Sequence, residues 1–170
     1  MTIERMPQIV IASVRGFAAG SSVGIIAACD LVIASETAKF LLAQIKIGTS
    51  PDGGVSYFLT RQLGAKRAKE VILLGDVLSA ADAERYGLVN RVVPDDQLDA
   101  ETAKIAARLG AGPRCAQAEG KQLVNQALQN TLAQQLWAEA SAVNRIVQTE
   151  DFIEGSSSFG EKRTPVFKGR

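Results

Sequence analysis

The chain has 170 residues, 46% apolar and 22% charged, with a net charge of +1, enough for one domain or one domain with a small appendage. The near-neutral balance leaves no electrostatic footprint for nucleic acid or an anionic membrane surface. The absence of histidine removes imidazole bases, histidine triads and most catalytic zinc sites, so acid–base work falls to Asp, Glu, Lys, Tyr or backbone.

The two cysteines, Cys29 and Cys115, fit neither a metal pattern nor a disulfide framework. Cys29 follows an apolar run and reads as a small core residue. The apolar stretch 9–14 is too short for a signal core, and stretch 17–34 is broken by Gly24 and Asp30. A cytoplasmic protein without a membrane span is expected.

In chain order, the β-branched run 9–14 predicts a strand buried on both faces. Gly16 and Gly20 bound a turn, and a helix follows to Cys29, with Ser21 or Ser22 as its cap. Residues 31–34 predict a second short strand and 40–47 a third extended segment. Residues 48–54 are a loop, followed by helices over 55–63 and 65–74 that stop at Gly64 and Gly75. Ser79 opens another helix, with Asp82 at the acid position of a capping box, and Gly87 closes it. Residues 88–93 predict a strand. From Asp95 onward the pattern is helical, with breaks near 110–113 and at Gly155. Trp137 and Phe152 are expected in a core or an interface. Two regions result, a strand-and-helix region over 1–94 and a helical region over 95–170. Strand, glycines and helix recur twice in the first region, a faint echo of a stacked β-β-α spiral.

Two places could carry chemistry. The turn from Arg15 to Ser22 ends at a helix start, whose free N–H groups can stabilise an oxyanion. On spacing alone it reads first as an ordinary strand-to-helix turn. A nucleophilic Ser21 or Ser22 lacks a base, because the chain has no histidine. The second place is Asp52, beside Gly53 and Gly54. Its local pattern reads as a helix N-cap. A carboxylate acting there as a base would need desolvation, and Val55, Phe58 and Leu59 are the apolar neighbours that could supply it.

The order of these motifs resembles the crotonase (enoyl-CoA hydratase/isomerase) family. Pro7-Gln8-Ile9-Val10-Ile11-Ala12-Ser13-Val14-Arg15-Gly16-Phe17-Ala18-Ala19-Gly20 is similar to the family's P-x-I-A-A-V-x-G-x-A-x-G-G-G run. Ala28-Cys29-Asp30, Ile47-Gly48, Leu63-Gly64, Gly87-Leu88-Val89 and Val92-Val93-Pro94 continue the pattern, and Phe159-Gly160-Glu161-Lys162-Arg163-Thr164-Pro165 resembles its ending. The resemblance covers essentially the whole chain. It implies an α/β fold, the crotonase-like β-β-α spiral lacking its first strands, with a C-terminal helical region for oligomerisation.

The resemblance further implies acyl-CoA thioester substrates. Coenzyme A enters as part of the substrate, no separate cofactor is used, and neither nucleic acid nor membrane is a partner. The backbone N–H of Ser21 would be one oxyanion donor. Gly20, Gly24, Gln44, Pro51 and Lys162 would fall at substrate-binding positions. Family hydratases carry glutamates where this chain has Gly24 and Gln44, and neither residue transfers protons. Asp52 matches the aspartate of some double-bond isomerases, including the 1,2-epoxyphenylacetyl-CoA isomerase type. An enoyl-CoA isomerase with Asp52 as acid and base is therefore expected. A hydratase-like member, or an inactive remnant keeping only assembly or CoA contacts, are the alternatives. The family also implies a homotrimer or hexamer, with a missing N-terminal segment, and its oxyanion N–H, supplied separately.

Overall fold

The computed structural model describes residues 2–170. A single turn of helix, α1 (Thr2–Arg5), comes first. Two short strands follow, β1 (Ile11–Val14) and β2 (Phe17–Ala19), and then helix α2 (Ser21–Ala28). The same series repeats as β3 (Leu31–Ser35), β4 (Lys39–Leu41), a 3-10 turn over Ala43–Ile47, and α3 (Val55–Leu74). After these come β5 (Val77–Ser79), α4 (Ala80–Tyr86) and β6 (Arg91–Val93).

The repeat builds two three-stranded sheets, one ordered β1-β3-β6 and the other β2-β4-β5. The first is parallel throughout, with Ile11 opposite Leu31 and Ile33 opposite Arg91. In the second, β2 and β4 run parallel and β5 returns antiparallel. Each strand pair therefore feeds one strand to each sheet before its helix. The faint echo in the sequence is thus a repeated strand–strand–helix unit. Gly16, at φ 72°, makes the step from β1 to β2, and its carbonyl oxygen accepts the Lys39 amide at 2.8 Å.

The sheets and helices close on Val14, Val23, Val32, Phe40, Val55 and Leu59, all buried in one cluster. Parallel strands buried on both faces explain the near-continuous apolar runs. Polar side chains tie the strand ends. Asp30 accepts from the Val10 amide, and Asn90 from the Val32 amide, each at 2.7 Å. Asp95 accepts from Ser35 Oγ at 2.5 Å and Thr37 Oγ1 at 3.0 Å, and pairs with Arg15 Nε at 3.2 Å. These hydroxyls, led by Ser35, and the Arg15 guanidinium hold the Asp95 carboxyl below its ordinary range.

Several elements depart from the sequence pattern. Segment 40–47 is extended only to Leu41 and then winds into the 3-10 turn, which Gly48 ends in the left-handed conformation. Neither serine caps α2. Its N-cap is Gly20, and Ser22 Oγ instead donates to the Ala19 carbonyl at 2.8 Å. Strand 88–93 is paired only over β6, since Leu88 and Val89 turn their amides to the Ala83 carbonyl. Strands β2 and β5, three residues each, lie where the sequence shows turn signals. Ser79 does cap α4, its Oγ accepting from the Asp82 amide.

Helices α5 (Leu98–Gly110), α6 (Arg114–Ala127), α7 (Leu132–Ile146) and α8 (Glu150–Glu161) complete the chain. The break near 110–113 separates α5 from α6, but Gly155 lies inside α8, and further breaks fall at Thr131 and Thr149, each an N-cap. The chain divides into two compact units, Val10–Lys104 and the residues to Ile9 together with Ile105–Arg170. The division falls within α5, ten residues beyond the Pro94 boundary drawn from the pattern.

In the helical unit, Lys121 is buried and its Nζ donates to the Ile3 and Gln8 carbonyls at 2.7 and 2.9 Å. Buried Asp151 accepts the Lys168 and Gly169 amides at 2.6 and 2.8 Å, fixing the last residues against α8. Trp137 is 76% and Phe159 88% exposed. Among the described residues, no helix is long and apolar enough to cross a membrane.

Candidate active site

The strand-and-helix unit brings the start of α2, the 3-10 turn and the loop before α3 together. Gly20 takes φ 61° and ψ −131°, a conformation open to glycine alone, and so turns the chain from β2 into α2. Its amide donates to the Leu41 carbonyl at 2.8 Å, which fixes the turn to β4. Ser21 is the first residue of α2 and is exposed. A helix cannot satisfy the amide of its own first residue, so this N–H and the positive end of the α2 dipole face the same region.

The loop that carries Asp52 seats directly on this helix start. Gly53 has φ 59°, and a Cβ there would stand 2.6 Å from Ser21 Cβ. A Cβ at Gly24, one turn along α2, would overlap the Gly53 carbonyl oxygen. Two glycines thus let backbone meet helix with no side chain between them. Asp52 is exposed and does not cap α3, whose N-cap is Gly54. Its carbonyl accepts the Val55 amide at 3.1 Å, while its carboxylate Oδ1 accepts from Gln44 Nε2, also at 3.1 Å.

Gln44 is 8% exposed. Its Oε1 is buried and accepts from no protein group, an arrangement that costs about 1–3 kcal/mol. A Cβ on Gly20 would lie 3.5 Å from its Nε2, in ordinary contact, so Gln44 packs beneath the Gly20 turn. Pro51 is half-buried beside Asp52. Gly20, Ser21, Gly24, Gln44, Pro51 and Asp52 are therefore one neighbourhood. Lys162 belongs to the other unit, where it ends α8 at φ 56° with its side chain exposed.

Two features escape sequence reading. The Gln44–Asp52 hydrogen bond spans eight positions across a loop, and nothing local marks it. The seat of Gly53 on Ser21 was signalled only by the Gly53-Gly54 pair, which reads as a turn. Chemically, the arrangement offers one carboxylate, one amide donor to it, and a helix N–H able to face a developing oxyanion.

The model of the family described as enoyl-CoA hydratase/isomerase matches residues 1–170. The chain belongs to this family. A Mycobacterium leprae protein named "Probable enoyl-CoA hydratase echA8" is 41% identical over 160 residues, covering 94% of this chain and 62% of its own length. The 1,2-epoxyphenylacetyl-CoA isomerase of Escherichia coli is 36% identical over 168 residues, 99% of this chain and 64% of that one. The crystal structure of an enoyl-CoA hydratase from Polaromonas sp. JS666 superimposes with a TM-score of 0.94 at 37% identity, over 98% of this chain and 65% of that one. The α/β spiral is thus the crotonase fold. The chain spans a little under two thirds of the length of these family members.

Proposed function

We propose that the chain serves an enoyl-CoA isomerase, moving a double bond by a 1,3-proton shift with Asp52 as acid and base. The observation that carries this reading is the single carboxylate, Asp52, held by Gln44 beside the start of α2, with no carboxylate at position 24 or 44. In a 3-enoyl thioester, Asp52 takes the proton from C2. The C–H electron pair enters a dienolate, and its charge gathers on the thioester oxygen. The Ser21 N–H donates to that oxygen as one donor of an oxyanion hole. Asp52, now a carboxylic acid, returns the proton to C4. The carbonyl re-forms and the double bond comes to rest between C2 and C3.

Coenzyme A arrives as part of the substrate, with Gly20 and Pro51 at substrate-binding positions and Gln44 acting through Asp52. Nucleic acid and membrane are not partners in this reading, and the cytoplasm is the proposed location. A homotrimer or hexamer is the proposed assembly, supported by the apolar side chains exposed on α7 and α8.

Hydration is the second reading, favoured by the name of the Mycobacterium leprae relative. The test compares the protein in its native assembly with its Asp52→Asn variant, on a 3-enoyl-CoA and a 2-enoyl-CoA. The isomerase reading expects turnover of the first substrate and a loss of at least a hundredfold in the variant. Undiminished isomerisation by Asp52→Asn rules it out. Water addition without isomerisation supports the hydratase reading. No turnover of either substrate leaves an inactive remnant.

A further inference from the structure

Gln44 is a polar side chain in an apolar place. Its depth suits methionine or leucine, since a buried carbonyl oxygen without a donor is unfavourable. What it adds is the N–H donated to Asp52 Oδ1. The chemistry fixes the amide's orientation, because turning it over would set carbonyl oxygen against carboxylate oxygen. The loop that carries Asp52 is restrained separately, through the seating of Gly53 on Ser21 and of Gly24 beneath Gly53.

We infer that Gln44 is a positioning residue for Asp52, occupying Oδ1 so that Oδ2 is the oxygen that takes and returns the proton. The inference rests on the proton-shuttle reading above and goes beyond it by assigning the two oxygens. The assignment holds in both halves of the reaction. While Asp52 is a carboxylate, the amide donates to one oxygen and leaves the other free for the C2 proton. Once the C2–H bond has broken and the Oδ2–H bond has formed, Oδ1 is the carbonyl-type oxygen and still accepts the same N–H. When Oδ2–H breaks and C4–H forms, the carboxylate returns to its starting contact. A donor at Oδ1 never competes with the travelling proton, whereas an acceptor there would capture it.

A positioning role separates rate from binding. Gln44→Met keeps nearly the same volume and removes the donor. Gly53→Ala lifts the loop from Ser21 and tests the backbone restraint. Both are assayed in the native assembly with a 3-enoyl-CoA, and calorimetry with a saturated acyl-CoA reads binding apart from chemistry. Gln44→Met should lose about tenfold to a hundredfold in kcat, the scale of a misplaced reacting group. KM and acyl-CoA affinity should stay within about twofold, and Gly53→Ala should lower kcat in the same direction. If Gln44→Met melts below the assay temperature, Gln44→Asn, whose amide stops one carbon short, takes its place with the same outcomes.

A kcat within twofold of the unaltered chain overturns the positioning role and leaves the role of Asp52 standing. Parallel losses of kcat and acyl-CoA affinity also overturn it, because they mark a general collapse of the site. If the unaltered native assembly has no turnover, or its Asp52→Asn variant isomerises as well as it does, the proton-shuttle reading fails and takes this inference with it.

Discussion

At the scale of residues, local sequence and tertiary contact give different answers for the same side chain. Asp52, before two glycines and a helix, has the pattern of an N-cap, yet Gly54 occupies that position and the carboxylate turns to Gln44. No window of sequence contains that partner's reason for being there, because the 3-10 turn that carries Gln44 is placed by the burial of Phe40 and Leu42 just before it. Asp95 is a second case. It follows Pro94 in a surface-like run, yet it gathers Ser35, Thr37 and Arg15. Folding lowers its pKa, so the folded state favours the ionised form. That contribution is full above the ordinary carboxylate range and is lost as the pH falls below it. Acid melting curves of the chain and Asp95→Asn should therefore differ most near neutral pH and converge in acid.

At the scale of elements, the glycines and caps were the legible signals. Gly64, Gly75 and Gly87 lie where the pattern placed helix stops, with φ of 75°, 61° and 87°. Gly64 breaks a helix that otherwise runs from Val55 to Leu74. Three-residue strands were not legible, because β2 and β5 are too short to show alternation and owe their extension to pairing with β4. The Ser79 cap, read correctly from its spacing, makes a simple test. Ser79→Ala should cost about 1 kcal/mol, measured as a lowered denaturation midpoint at an unchanged m-value.

The C-terminal segment makes another test at this scale. Glu154 receives two N–H bonds from Arg163 and one from the Val166 amide. These, led by Arg163, lower its pKa from 4.5 to about 2. The lowered value means that its hold on the segment is complete above 4.5 and disappears as the pH falls through about 2. Amides after Arg163 should stay protected from hydrogen exchange at pH 4 and lose protection near pH 2. In Glu154→Gln that change should vanish.

At the scale of the whole molecule, the strand order leaves β1 and β2 at sheet edges among the described residues. Phe17 on β2 is 73% exposed, as are Leu132 (77%) and Trp137 (76%) on α7. Apolar surface of this kind favours association. Sedimentation should give a particle larger than one chain, and Leu132→Glu with Trp137→Glu should shift it toward the monomer. The spiral was legible in outline, through its repeated strand, glycines and helix, and through the family motifs. The division inside α5 was not, because nothing in a continuous helix marks which residues pack with which unit.

The contact between Gly24 and Gly53 also constrains how such a scaffold can change. Any side chain at position 24 meets backbone rather than a movable side chain. A carboxylate could be introduced there only after the 52–54 loop had already been remodelled. The two changes are epistatic. The effect of a glutamate at position 24 therefore depends on which loop it meets, so the order in which the two changes arise decides whether the second is tolerated.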